Sequence, residues 1–409
     1  MAGGAATLLL IGCDGDPDDA LATTLPRPSS DPSVFKPTAH TVTRWRSDPF
    51  ARGSYSFMAR GAEPSDRRIL ARPVDDSLYF AGEAVDLGNP ATVHGAYQSG
   101  IDAADRVIDS GARSAVVVGA GAAGLAAAGR LSEAGVETVV VEARSRLGGR
   151  VHTDTALGPP LDLGASWIHG VRGNPLTEIA DAAGVERFPT DYDNLVVRDQ
   201  SGRKVDLDEL PDDFVEVAEI ENEYAADVDQ LAPEAFTEGD AVRGGDVLFP
   251  AGYVQIIDEL AADIDVELDV VVTSIEYGSS GVRVAGEAGE WEADAALVTV
   301  PLGVLKKGTI TFDPDLPGDH VGAIERLGMG HLSKVYLRFP EVFWDADVEF
   351  IGRVAPERGR FALWANFVPL NGLPILMAFH GGSVADELER MSDEEIVAEA
   401  VAALRGMYG

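Results

Sequence analysis

The sequence predicts an α/β protein with a parallel sheet, and three neighbouring segments support this prediction. Residues 115–118 form a short continuous apolar run, which is typical of a buried parallel strand. Residues 125–134 are rich in alanine and leucine and indicate a helix, and residues 136–141 indicate a second strand. Together they make a β-α-β unit. The whole chain has 409 residues, which is enough for two or three domains.

The composition limits the class of protein. Apolar residues make up 45% of the chain and charged residues 24%, which is the balance of a globular protein. The longest apolar runs fall far short of the ~20 residues that cross a bilayer, so we expect no membrane span. The single cysteine, Cys13, excludes an internal disulfide and a multi-cysteine metal site, and we expect no metal.

The charge balance is strongly acidic. The chain has 32 lysines and arginines against 68 aspartates and glutamates, a net charge of −36. Nucleic-acid binding is not expected, because phosphate contacts need clustered basic residues and no basic block occurs. So acidic a surface favours solubility, as in a salty, halophile-like cytoplasm. It is also compatible with attraction of a cationic substrate.

The first residues, 1–34, read as a leader and linker. Residues 8–13 resemble a lipoprotein cleavage box, but no lysine or arginine precedes them and the apolar part is very short for a signal peptide. Residues 14–32 are rich in aspartate, proline and serine, which is typical of a linker. We therefore expect a cytoplasmic protein, with export as a lipoprotein through Cys13 as the alternative.

The turn between the first strand and the helix indicates a dinucleotide site. Gly119, Gly121 and Gly124 form a G-x-G-x-x-G motif, and Glu142 ends the second strand. The first glycine allows the tight turn, the second lets a pyrophosphate approach the backbone, and the third lets helix and strand pack closely. Glu142 can accept hydrogen bonds from ribose hydroxyls and would repel a 2′-phosphate, which disfavours NADP.

Two specific segments follow, Gly-Gly-Arg at 148–150 and Leu-Gly-Ala-Ser-Trp-Ile-His-Gly at 163–170. They resemble the flavin amine oxidases, most closely the polyamine oxidases and the lysine-specific histone demethylases. The resemblance continues through residues 249–253, 299–305 and 327–344. It covers most of residues 35–409 and is weakest over about 190–244, which reads as an acidic helical insert.

The resemblance implies a Rossmann-like FAD-binding domain interleaved with an α+β substrate domain of a mixed sheet plus helices. Residues 53–175 and 245–303 would form the FAD-binding domain, in which residues 78–110 match the C-terminal piece of the family. Residues 35–52, 176–244 and 304–409 would form the substrate-binding domain.

The order of the segments differs from that of the family. The flavin-closing motif, C-terminal in the family, matches residues 43–100 here, so the chain is interpreted as a circular permutant. Residues 109–113 would join the last family helix to the first strand, spanning roughly 17 Å when extended. Two alternatives remain open: a fusion of two truncated neighbours, or a coding sequence read from a circularly joined piece of DNA.

The resemblance implies FAD, bound non-covalently because no cysteine lies in the flavin-closing motif. The residues that it assigns to the cofactor are Trp45, Gly82, Glu83, Thr92, Val93, Gly119, Gly121, Ala123, Gly124, Glu142, Arg144, Gly149, Arg150, Gly164, Ala165, Ser166, Trp167 and Val272.

Three residues match catalytic positions of the family. Lys334, one of five lysines, matches the lysine that holds a water near the flavin N5 position and assists reoxidation. Tyr55 matches an aromatic wall of the substrate cage, where its ring would stabilise a cationic amine. His169 matches a polyamine-oxidase residue near the substrate. The second cage position falls at Ala84-Val85, which is apolar here where relatives often have Tyr or Thr.

The resemblance therefore implies an FAD-dependent enzyme that oxidises a small cationic amine. The expected products are an imine, then an aldehyde, with oxygen reduced to hydrogen peroxide. The expected substrate is polyamine-like. The alternatives are a monoamine or amino-acid oxidase, or a flavin-binding protein made inactive by the permutation.

Overall fold

The computed structural model describes residues 32–409. The strands are β1 (Ala39–Val42), β2 (Ser56–Phe57), β3 (Leu78–Phe80), β4 (Ser114–Val118), β5 (Glu137–Val141), β6 (Thr153–Asp154), β7 (Leu161–Asp162), β8 (Trp167–Ile168), β9 (Phe188–Thr190), β10 (Leu195–Asp199), β11 (Asp246–Leu248), β12 (Val266–Glu267), β13 (Val272–Gly278), β14 (Gly281–Gly286), β15 (Gly289–Ala293), β16 (Ala295–Val298), β17 (Thr311–Asp313), β18 (Gly328–Met329), β19 (Leu332–Arg338), β20 (Phe350–Val354), β21 (Leu363–Asn366) and β22 (Ile375–Gly381). The helices are α1 (Pro64–Leu70), α2 (Val93–Asp109), α3 (Ala122–Glu133), α4 (Pro175–Ala183), α5 (Asp212–Glu216), α6 (Asn222–Tyr224), α7 (Val254–Ala261), α8 (Leu302–Lys307), α9 (Gly318–Arg326), α10 (Val368–Asn371), α11 (Gly382–Leu388) and α12 (Asp393–Tyr408).

A five-stranded parallel sheet, in the order β12-β5-β4-β16-β3, contains the predicted β-α-β unit. The apolar side chains of β4 alternate between two hydrophobic cores, so both faces of the sheet are covered. Helices α2, α3 and α7 pack on one face and strands β13 to β15 on the other. Helix α3 begins at Ala122, three residues before the predicted start, because the extended residue Gly121 is its N-cap.

A six-stranded mixed sheet, in the order β1-β19-β22-β21-β20-β10, forms the second part. Only β10 and β20 are parallel among its pairs. Helix α12 packs on one face and begins at a capping box formed by Ser392 and Glu395. Lys334 and Tyr336, two residues apart on β19, share the opposite face, because side chains alternate along a strand.

Smaller sheets connect the two parts. A three-stranded sheet has the order β8-β11-β9, and a four-stranded sheet has the order β15-β14-β13-β17. Strand β2 pairs with β18, and β6 pairs with β7. The first of these pairs joins residues 56–57 to the segment that leads into β19.

The described chain begins inside the expected leader. Pro32–Phe35 is a short 3-10 helix, and Val34 and Phe35 are buried in the core beneath α12. The expected leader is therefore a few residues too long, and its remainder, including Cys13, lies outside the described residues. The guanidinium of Arg405, in the last turn of α12, lies 5.8 Å from the centroid of the Phe35 ring. The C-terminal helix and the start of the described chain are thus neighbours.

Helix α2 connects directly to strand β4 through residues 110–113. The backbone N–H groups of Arg113 and Ser114 donate to Asp294 Oδ2 at 2.8 and 3.2 Å. The join is therefore short and hydrogen-bonded at its exit. Within residues 32–409, none of the helices is long and apolar enough to cross a membrane, and no group of three or more His, Cys, Asp or Glu side chains is arranged to hold a metal ion.

Candidate active site

A cavity of about 560 Å³ opens between the parallel sheet and the mixed sheet. Val118, Val141 and Thr299, at or just past the carboxyl ends of β4, β5 and β16, line it, and this edge of a parallel sheet is where ligands usually bind. The cavity is also lined by every cofactor and catalytic residue that the sequence predicted, with the exceptions of Gly124 and the expected second cage position, Ala84-Val85.

The three motif glycines occupy the positions that their roles require. Gly119 has a φ of +112°, and an added Cβ would lie 2.6 Å from Thr299 Oγ1. At Gly124 an added Cβ would lie 1.9 Å from the Gly119 oxygen, so this residue sets the approach of α3 to β4 rather than lining the cavity. At Gly121 the nearest atom is 3.8 Å away, so a ligand can approach this backbone. The turn and the N-terminus of α3, which includes Ala123, fit a dinucleotide phosphate.

Glu142 stands beside this turn. Its carboxylate accepts from the backbone N–H groups of Ala120 and Arg144, both at 2.8 Å. The Arg144 guanidinium makes a two-point ion pair with Asp48 at 2.8 and 2.9 Å. Val272 lies at the start of β13 and lines the same cavity.

A buried ion pair, formed by Glu83 and Arg150, also lines the cavity. Glu83, 4% exposed, accepts from Arg150 Nη1 at 2.7 Å and from the Ser56 hydroxyl at 2.6 Å. Burial opposes ionisation of Glu83, but Arg150 and Ser56 outweigh it and lower its pKa. Arg150 belongs to the loop that contains Gly149, whose φ is +57°.

Helix α2 begins at the cavity. Its N-cap is Thr92, whose hydroxyl accepts from the Gly95 N–H at 3.0 Å, and Val93 is its first residue. Because the N-terminus of this 17-residue helix lines the cavity, the positive end of the helix dipole faces the cavity. Gly82, with a φ of +131°, lies near this end, and its N–H donates to the Ser99 hydroxyl.

Trp45 and the 164–167 segment form an adjoining wall. The Trp45 indole N–H donates to the Leu163 oxygen at 3.1 Å. An added Cβ at Gly164 would lie 1.7 Å from the Arg150 oxygen and 3.3 Å from the Trp45 ring. Ala165 and Trp167 continue this wall. Glycine at position 164 is therefore needed for the close approach of this segment to the Arg150 backbone.

Lys334 is 3% exposed, and its ammonium group makes three hydrogen bonds. Its Nζ donates to the Asp162 oxygen at 3.0 Å, and to the Gly164 oxygen and the Ser166 hydroxyl at 2.6 Å each. Burial lowers the pKa of this lysine to about 8, although Asp162 opposes the shift. The ammonium holds the 162–166 loop and can exchange a proton near neutral pH.

Tyr55 and His169 line the cavity beside the segment of residues 222–223. The Tyr55 hydroxyl donates to the Asn222 backbone oxygen at 2.9 Å. His169 Nδ1 lies 2.7 Å from Asp246 Oδ2, which also accepts from the Tyr192 hydroxyl at 2.9 Å. Burial disfavours the charged imidazole, but Asp246 outweighs this and raises the pKa of His169. Neither Asp246 nor Tyr192 was among the residues predicted from the sequence.

Two further polar residues were also missed. Asn222 and Glu223 line the cavity from α6. The amide nitrogen and oxygen of the Asn222 side chain and Oε1 of Glu223 are buried without a hydrogen-bond partner. Burial raises the pKa of Glu223 to about 7; His169 opposes the shift and Asp246 adds to it. The preceding turn, Val217–Glu221, is a π-helix. Its wider turn changes the phase of the helix, so α-helical periodicity cannot show which side chains face inward.

The expected second cage position is wrong. Ala84 and Val85 are 7% exposed and pack in the core that includes Leu70 and Phe80. Neither residue lines the cavity, because the turn after Glu83 directs both side chains away from it.

The sequence of this chain is similar to a family of known proteins. A sequence model of the family described as "Flavin containing amine oxidoreductase" matches residues 18–108, 122–243 and 238–409. Polyamine oxidase 2 of Arabidopsis thaliana is 33% identical over 325 residues, which are 65% of this chain and 66% of that protein. Lysine-specific histone demethylase 1 homolog 1 of the same plant is 32% identical over 66% of this chain and 39% of that protein. The chain thus spans slightly less than two thirds of the polyamine oxidase.

Solved structures agree on the fold. Putrescine oxidase bound to putrescine matches with a TM-score of 0.55 and 21% identity, over 73% of this chain and 82% of that chain. Cyclohexylamine oxidase from Brevibacterium oxydans IH-35A matches with a TM-score of 0.55 and 20% identity, over the same shares.

Proposed function

Because the chain belongs to the family of flavin-containing amine oxidoreductases, we propose that it is an FAD-dependent oxidase of a small cationic amine with a second positive charge. FAD, when bound, would supply the oxidising chemistry for the carbon next to the amine nitrogen, with oxygen as the final electron acceptor and hydrogen peroxide as the product. The parallel sheet would be the Rossmann-like FAD-binding domain, because the glycine turn, Glu142 and the start of α2 line one cavity.

The observation that carries the proposal is Glu223, whose Oε1 is buried without a hydrogen-bond partner. A buried carboxylate without a partner is costly, and an ammonium group of a substrate would satisfy it. Tyr55 and His169 line the same cavity, so the cation would lie beside an aromatic ring and a polar pair. Polyamine oxidases and putrescine oxidase are named for substrates with two or more ammonium groups.

The remaining residues have separable roles in this proposal. Lys334 holds the 162–166 loop and a proton close to the reacting centre. Asp246 holds His169 in one orientation, with Nδ1 toward the carboxylate and Nε2 free to face a substrate. The apolar walls exclude water, which strengthens the attraction between Glu223 and the ammonium group.

The direct test is an amine panel with the wild-type protein and a Glu223→Gln variant. Peroxide release and loss of flavin absorbance would be measured with putrescine, spermidine and benzylamine. We expect KM for the diamine and triamine to rise about 10- to 100-fold in the variant, since a charge-assisted hydrogen bond contributes about 1.5–3 kcal/mol. KM for benzylamine, which has one charge, should change little.

Asp229→Asn is the matched control, because Asp229 is an exposed acid of the same insert. It should leave all three KM values unchanged. Bound flavin that no amine reduces would reject the oxidase and support a flavin-binding protein. Equal effects of Glu223→Gln on benzylamine and putrescine would reject the assigned role of Glu223.

The proposal also predicts a pH dependence. Since the pKa of Glu223 is raised to about 7, the residue is an anion above that pH and neutral below it. KM for putrescine should therefore rise as the pH falls from 8 to 6, and the Glu223→Gln variant should lose this dependence. The amines themselves stay charged over this range.

The permuted order and the cytoplasmic location are further parts of the proposal. The short join between α2 and β4, and the contact of Arg405 with Phe35, support a chain that closes the family fold in a different order. Sequencing across the locus tests this. An in-frame start just before Ser114 with a stop just after Gly111 would reject the permutation.

A further inference from the structure

Arg52 differs from the other two arginines that line the cavity. Arg144 is paired with Asp48, and Arg150 is paired with Glu83. Arg52 makes no ion pair with any residue of the described chain, and its Nε is buried without a hydrogen-bond partner. A positive charge in a cavity without a protein anion is expected to meet an anion of the ligand.

The backbone of Arg52 is held in an unfavourable conformation. Its φ is +57°, in the left-handed region that residues other than glycine rarely adopt. Its N–H donates to the Asp48 oxygen at 2.9 Å, and an added Cβ at Gly303 would lie 2.8 Å from the Arg52 oxygen. Such strain persists only where the surrounding structure imposes it, often at a functional site.

Residues 299–303 connect Arg52 to the glycine turn. At one end, Thr299 Oγ1 donates to the Gly119 oxygen at 3.1 Å. At the other end, Gly303 packs against Arg52. Both the glycine turn and Arg52 therefore contact the same five-residue segment, and both line the cavity.

We propose that Arg52 is a cofactor-binding residue whose guanidinium pairs with the diphosphate of FAD. A diphosphate is an anion that the backbone of the glycine turn binds but does not neutralise, and the planar guanidinium matches phosphate oxygens in two-point geometry. The inference rests on FAD being the cofactor. A purified wild-type protein without flavin would therefore reject the proposed function, whereas the test below compares variants of a protein that does bind flavin.

The test compares Arg52→Met, Arg52→Lys and Arg60→Met with wild type. Arg60 is exposed and does not line the cavity, so its variant removes the same charge from the surface. FAD dissociation from the holoenzyme would be followed by the fluorescence of released flavin. The midpoint potential of the bound flavin would be measured by reduction against reference dyes.

We expect Arg52→Met to weaken FAD binding about 10- to 100-fold, the effect of losing a charge-assisted contact. Arg52→Lys should recover part of the affinity, because a point charge replaces the planar group, and Arg60→Met should change it less than about twofold. The midpoint potential should stay within about 30 mV of wild type.

Three results would overturn the proposal. The first is wild-type FAD affinity in Arg52→Met. The second is equal affinity of Arg52→Met and Arg52→Lys, which would indicate a loss of structure rather than of charge. The third is a potential lowered well beyond 30 mV with unchanged dissociation, which would place the guanidinium at the flavin ring instead of the diphosphate.

Discussion

Replacing Gly124 with alanine tests whether close packing of α3 on the end of β4 builds the cofactor site. The new Cβ would lie 1.9 Å from the Gly119 oxygen and 3.0 Å from Thr299 Oγ1. Non-bonded heavy atoms normally stay roughly 3.5 Å apart, so the N-terminus of α3 would have to move by more than 1 Å. This movement would displace the N–H groups that face the cavity.

The expected change in stability is the sum of two opposing terms. Overpacking of this kind destabilises by about 1–3 kcal/mol. Alanine in place of glycine inside a helix contributes about 0.5–1 kcal/mol in the other direction. We therefore expect a net loss of about 0 to 2.5 kcal/mol in the free energy of unfolding, and a purified protein with little or no flavin.

Gly129→Ala is the matched control on the same helix. An added Cβ at Gly129 meets no atom within 4 Å, so only the helix propensity changes. This variant should gain about 0.5–1 kcal/mol and keep its full flavin content. Thermal unfolding and the flavin-to-protein absorbance ratio measure both variants. If Gly124→Ala unfolds at the same temperature as Gly129→Ala and retains flavin, the packing role of Gly124 is refuted.

Two further predictions concern buried charges. Lys334→Met should keep FAD bound but slow the reoxidation of reduced flavin by oxygen by about 10²- to 10⁴-fold, the usual effect of losing a positioned proton donor. Stopped-flow mixing with oxygen measures this rate, and an unchanged rate would reject the role of Lys334. His331 is fully buried and lies 2.8 Å from both Asp386 and Glu389. Burial alone would raise the pKa of the two carboxyl groups, but the contact with His331 is the main cause that lowers the pKa of each to about 2. Because both folded-state pKa values lie below the unfolded ones, the pair stabilises the fold above about pH 4 and loses this effect as the pH falls toward 2. His331→Asn should therefore move acid unfolding, followed by circular dichroism, to higher pH, and an unmoved midpoint would contradict the assignment.

Much of the nucleotide-binding half could be predicted because its signals are local. The strand at 115–118, the glycine turn and Glu142 lie within 30 residues, and each has a backbone or hydrogen-bond requirement that one residue type meets. The positions of Lys334 and Tyr55 came from family resemblance, and both residues line the cavity. The start of α3 was misplaced by three residues, because a glycine N-cap leaves no side-chain signal.

The substrate side could not be predicted from the same kind of signal. Glu223 and Asn222 lie in the insert where the resemblance is weakest, and the π-helix before them shifts the phase of the side chains. Ala84-Val85 was placed at the cage by the family resemblance, whereas both residues pack in the core.

The sequence by itself determined the class of fold, the dinucleotide turn and the family, since these depend on short segments whose residue types are constrained by backbone geometry. The tertiary structure decided which charges remain unpaired. Arg144 and Arg150 each have a carboxylate partner more than 60 residues away, and Arg52 and Glu223 have none among the described residues. Pairing of charges depends on distances between segments remote in sequence. In so acidic a chain, composition alone cannot show which of its charges face a ligand.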